Sequence, residues 1–202
     1  MSLSEHKMYP EVDVLMEQIE EFDLHRHVVE LQAYGLTIVP PEKLRLPEGF
    51  VVRLRSAITA ACERRNNIQL GDVKTVETVP ETANSNSWDL LDEDKVFIEA
   101  ATNSVCLTLV RWLLGQSAIL SGQSWIIKGK GGGALPLHND NHGMPPSSGS
   151  IAHMCNTSWL CTDYTSSADG PTVFVPGSHI YGRATLAHES KLEETPYKHF
   201  PL

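Results

Sequence analysis

The chain has 202 residues, of which 41% are hydrophobic and 20% charged, proportions that suit one globular domain with a sizeable core. Its net charge of -9 argues against nucleic acid as the main partner, because phosphate binding needs a basic surface. The longest apolar run, residues 105–114, is broken by Arg111 and is too short to span a bilayer, so no membrane partner is expected.

Residues 1–10 are polar and hold no secretory h-region. The four cysteines (Cys62, Cys106, Cys155, Cys161) show neither a Cys-x-x-Cys pair nor zinc-ribbon spacing, which fits buried thiols in a reducing, cytoplasmic setting. Pro10, followed by Glu11 and Asp13, opens a first helix that runs to about Phe22. Asp23 caps a second, where Leu24, Val28 and Leu31 recur at helical spacing until Gly35 stops it. Residues 36–39 read as a short strand ended by Pro40 and Pro41. A third helix fits 49–65, with Val51, Leu54, Ile58 and Ala61 on one face. Its arginines form no stripe, since Arg53 and Arg55 are two apart and face different ways.

Residues 68–91 are polar and read as a long loop. The strongest helix follows from Asp92 to Gly115, its apolar stripe made by Val96, Ala100, Val105, Leu109, Trp112 and Leu113. Then the character changes. Residues 118–120 and 124–128 read as two strands, and 129–133 as a glycine-rich turn without the Gly-Lys-Ser/Thr ending of a phosphate loop. Further strands are expected at about 156–163 and 172–175, separated by a turn at 166–170.

Between these strands lies Leu135-Pro136-Leu137-His138-Asn139-Asp140-Asn141-His142-Gly143. On a strand His138 and Asp140 share a face, with Cα atoms about 6.6 Å apart, and can meet one metal ion from adjacent corners. One more imidazole would complete the 2-His-1-carboxylate face that leaves positions open on Fe(II). His142 would stand about 13 Å from His138 along the same strand, too far for neighbouring coordination sites, and is read as a bystander. A lone His-x-Asp also occurs in many surface turns, so the pair alone does not decide the matter.

Leu137-His138-Asn139-Asp140 followed by Asp169-Gly170-Pro171-Thr172-Val173-Phe174-Val175-Pro176-Gly177-Ser178-His179 resembles the phytanoyl-CoA dioxygenase family. The likeness is loose before residue 115 and closer from 123 to 182. It implies an α+β fold: a double-stranded β-helix (jelly-roll, cupin-like) core with N-terminal helices packed on it. Within a single domain spanning 1–202, residues 1–115 would be mainly helical, 116–182 would supply strands, and 183–202 would be a tail. It implies Fe(II) and 2-oxoglutarate as cofactors, dioxygen and a small molecule as substrates, and His138 and Asp140 as metal ligands. Related halogenases lack the carboxylate, so Asp140 points to hydroxylation or another oxidation, with succinate and carbon dioxide as coproducts of hydroxylation. Trp159 becomes a candidate wall of the cosubstrate pocket, and His179 a supporting residue outside the metal's own ligand set.

The family's third ligand, a histidine, and the arginine that binds 2-oxoglutarate normally follow well after Pro-Gly-Ser-His. Only 62 residues follow Asp140, and Arg183 is the only arginine after Gly182. The resemblance therefore implies a C-terminally incomplete member, or one that has lost its closing strands, and an inactive fragment is one expectation for the chain as it stands. Two other readings stay open: a non-catalytic β-helix binding module, and a cupin-type metal-dependent hydrolase or isomerase.

Overall fold

The computed structural model describes residues 10–71, 73, 79, 85–129, 133–140, 145, 151–191 and 200–201. Among these, five α-helices form: α1 Pro10–Glu21, α2 His25–Tyr34, α3 Phe50–Asn66, α4 Lys95–Ala101 and α5 Ser104–Leu114. Two antiparallel ladders follow. β1 Ser85–Trp88 pairs with β2 Ser124–Ile127, placing Ser87 opposite Trp125. β3 Val173–Phe174 pairs with β4 Phe200–Pro201.

The described architecture is thus mixed helix and small sheet, and these ladders alone do not draw the expected double-stranded β-helix. Residues 118–120, 135–140 and 156–163, expected as strands, are irregular. A strand exists only through pairing, and backbone groups here are spent elsewhere. The Leu137 N–H donates to the Ser190 carbonyl at 2.7 Å, and the Cys161 carbonyl accepts from Arg55 at 2.9 Å. Conversely, Ser85–Trp88 fell within the expected loop but is a strand. Poor strand formers are carried there by β2, whose Trp125 and Ile127 are buried.

The long helix expected over 92–115 is two helices bent by 48°. Thr102 closes α4, its hydroxyl returning to the Ile98 carbonyl at 2.8 Å. Asn103 starts α5 afresh, its side-chain oxygen accepting the Cys106 N–H at 3.0 Å while its amide donates to the Leu44 carbonyl at 2.9 Å. Such local side-chain bonds compete with a continuous helix. Asp23 does not cap α2; Leu24 takes that position without a side-chain bond. Asp23 sits instead at φ 50°, with Lys43 Nζ donating to its carboxylate at 2.6 Å and to its carbonyl at 2.7 Å. Residues 36–39 form no strand.

Two apolar clusters build the core. One joins α3, α4 and β2 through Phe50, Leu54, Phe97 and Trp125. The other joins α1, α2 and α5 through Ile19, Leu24, Val28 and Val105. Leu46 and Trp159 pack against both. No single helix among the described residues is long and apolar enough to cross a membrane; α4 and α5 reach that length only as a bent pair, and each buries apolar residues in a core cluster.

The C-terminal half returns to the helices at one point. α2 ends on Gly35, at φ 75°. A Cβ there would lie 2.6 Å from His179 Cγ, so both the left-handed backbone and the close approach require glycine. The Gly177 N–H donates to the Tyr34 carbonyl at 2.9 Å, and His179 Nε2 donates to the Gln32 carbonyl at 3.2 Å. The Pro-Gly-Ser-His turn therefore caps the last turn of α2, whose carbonyls have no partner inside the helix.

Candidate metal centre

His138 and Asp140 meet without the help of a strand. In the bend at 137–140 the His138 Nε2 lies 3.3 Å from Asp140 Oδ1. Both side chains are about half exposed, at 46% and 47%. The other ring nitrogen is committed: His138 Nδ1 lies 2.7 Å from the Pro136 carbonyl. A carbonyl only accepts, so Nδ1 carries a proton there, which leaves Nε2 as the ring nitrogen that faces the carboxylate. A metal-ligating histidine is usually held in this way, with its second N–H on a backbone carbonyl. Two donors at about 2.1 Å from a six-coordinate ion, on adjacent corners, lie about 3 Å apart. The spacing of Nε2 and Oδ1 fits that demand with a small adjustment.

The residue between them anchors the bend. Asn139 points away from the pair and donates through Nδ2 to the Arg183 carbonyl at 2.6 Å. With the bond from the Leu137 N–H to the Ser190 carbonyl, the motif is pinned at two points to the turn formed by 183–190. That turn is closed by a buried carboxylate. Glu189 is 4% exposed and accepts both Arg183 guanidinium nitrogens at 2.8 Å each, and also the Leu186 N–H at 2.8 Å. Charge-assisted two-point bonding of this kind fixes geometry as well as adding energy. On the other side, Asn156 Nδ2 donates to Asp140 Oδ2 at 2.6 Å.

The segment carrying Asn156 is fixed to the helical body. Trp159 stacks at a tilt on Phe50, with ring centroids 5.0 Å apart. Cys155 and Cys161 flank this stretch. Burial raises both thiols above the ordinary cysteine range, Cys161 to about 11. They stay protonated near neutral pH and are poor metal ligands. No disulfide involves any of the four cysteines.

Among the described residues no third His, Cys, Asp or Glu joins the pair in a group able to hold a metal ion. His142 and His199 lie outside the described residues. His153 and His188 are exposed, and His179 is occupied at the end of α2. The donors present fit two corners of a metal's coordination shell. Asn156, Arg183 and Glu189 escape sequence reasoning, since they reach the motif only through tertiary contact. Asn156 is 16 positions from its partner, and nothing local marks it.

The family model described as phytanoyl-CoA dioxygenase matches residues 31–201. Comparison with curated proteins and with solved structures finds no match.

Proposed function

The chain belongs to the phytanoyl-CoA dioxygenase family, and from that premise we propose that it is an Fe(II)- and 2-oxoglutarate-dependent oxygenase whose metal is held by His138 and Asp140. The observation that carries this reading is the meeting of Nε2 and Oδ1 at 3.3 Å, with the imidazole oriented by the Pro136 carbonyl. When bound, iron and 2-oxoglutarate would supply the activation of dioxygen for oxidising a C–H bond of a small molecule, chemistry that no amino-acid side chain provides. The protein's part is to orient the imidazole through Nδ1, to aim the two donors, and to keep the motif still against the 183–190 turn. Within this reading the two ladders belong to a double-stranded β-helix. Trp159, fixed on Phe50, is a wall near the cosubstrate, and His179 supports the site from the end of α2.

Anaerobic titration of the chain with Fe(II), followed by exposure to oxygen and 2-oxoglutarate, tests the proposal. The expected result is metal binding and succinate release, both lost in Asp140→Ala. Activity that persists without oxygen, or with zinc and no 2-oxoglutarate, would overturn it in favour of a hydrolase or isomerase. A second reading, a ligand-binding module without turnover, is favoured by the lack of a third donor beside the pair among the described residues. Its signature would be 2-oxoglutarate binding without succinate.

A further inference from the structure

The metal ligands of the proposed oxygenase each have two heteroatoms, only one of which faces the other ligand. For His138 the spare atom is Nδ1, tied to the Pro136 carbonyl. For Asp140 it is Oδ2, tied to Asn156 at 2.6 Å. A carboxylate accepts and cannot donate, so the amide must present its NH2 group; the chemistry itself decides the amide's orientation.

Resting on the proposed function, we infer that Asn156 is a positioning residue that holds Asp140 to coordination through one oxygen. A carboxylate can bind a metal through one oxygen or two. With Oδ2 engaged by Asn156, Oδ1 is left as the single donor beside His138 Nε2. With a metal bound, Asp140 would then take one corner of the ion, where two-oxygen binding would take two. The corner saved stays open for cosubstrate or oxygen, and reactivity at such iron sites depends on open positions.

Asn156 is built to do this. It precedes Trp159, which packs on Phe50 and on both core clusters, and Cys161, whose carbonyl accepts from Arg55 at 2.9 Å. The amide thus hangs from a segment anchored on α3, while Asp140 hangs from a bend anchored on the 183–190 turn. Two separately fixed supports meet at one hydrogen bond, as a preorganised site requires.

The test uses the full chain loaded with Co(II), whose visible absorption reports coordination. Asn156→Ala and Asn156→Leu both remove the donor, and the leucine keeps the bulk. Each is expected to bind Co(II) about 10- to 100-fold more weakly than the parent chain, the usual cost of losing an outer-shell partner. Each is also expected to shift the Co(II) bands as Asp140 adopts two-oxygen binding. A merely structural role would leave those bands unmoved in any folded variant. Unchanged affinity and bands in both variants, with binding lost in Asp140→Ala, would overturn the role of Asn156 and leave the metal site standing. Co(II) binding that does not depend on Asp140 would overturn the metal site and this inference with it.

Discussion

A buried histidine in α2 gives the helical half a pH response of its own. His27 is 4% exposed, and its Nδ1 lies 2.7 Å from Thr37 Oγ1. The Thr37 hydroxyl donates onward to Glu30 Oε2 at 2.6 Å, so His27 Nδ1 is the donor to Thr37. Burial pushes the imidazole below the ordinary histidine range; the Glu30 and Asp23 carboxylates pull it upward, while Lys43 and Arg26 add to the downward push. The unfolded chain therefore binds more protons at this position just below the ordinary value of 6.5. Stability from His27 is full above that pH and is lost as pH falls through the window beneath it. Urea titrations at several pH values should show the parent chain losing stability from pH 7 to 5 faster than His27→Asn; parallel curves would show the group is not linked to folding. At this same scale, local pairings are legible in the sequence: His138 and Asp140, two positions apart, suggest themselves as a pair, and their side chains meet at 3.3 Å. The neighbours that aim them do not, because Asn156 and Arg183 reach the motif across 16 and 44 positions.

Among the elements, the 183–190 turn carries more than its position near the chain's end implies. The family resemblance implies a tail from 183 onward, yet the ends of this turn hold the 137–140 bend through the Arg183 and Ser190 carbonyls. Its own shape rests on Glu189, whose side chain is 5% exposed against 32% for Arg183. Glu189→Gln keeps the volume and removes the charge that both guanidinium nitrogens address. The expected cost is about 2 kcal/mol, in the range for hydrogen bonds to charged groups. It should appear as a lower urea midpoint with unchanged slope. A midpoint equal to the parent's would show the pair to be ornamental. Helices were easy to find beforehand because their apolar spacing is written within a few turns, as in Leu24, Val28 and Leu31. What misled was a local competitor, Asn103, whose side chain satisfies the start of α5 and breaks one expected helix into two. Strands were harder. Ser85-Asn86-Ser87-Trp88 has the composition of a loop, and only pairing with β2 makes it a strand.

At the scale of the whole molecule, the two apolar clusters divide the helices between them, and the stretch around Trp159 joins them by packing on both. This gives the irregular segment at 151–165 a structural task that its lack of pairing would not suggest. The cap that His179 and Gly177 place on the end of α2 carries the point into time. Gln32 and His179 are 147 positions apart. Bringing such distant positions together is entropically costly and slow, so contacts of this reach tend to form late. During synthesis, the α2 terminus must wait until residue 179 has left the ribosome. In pulse-labelled refolding, the Gly177 amide should therefore gain protection from exchange after the amides inside α3 and α5. Protection of Gly177 in the earliest phase would mean that the two halves find each other before the helices settle. A newly made chain would then pass through a stage in which its helices are formed and α2 is still open at one end, a stage at which a chaperone or a protease could act.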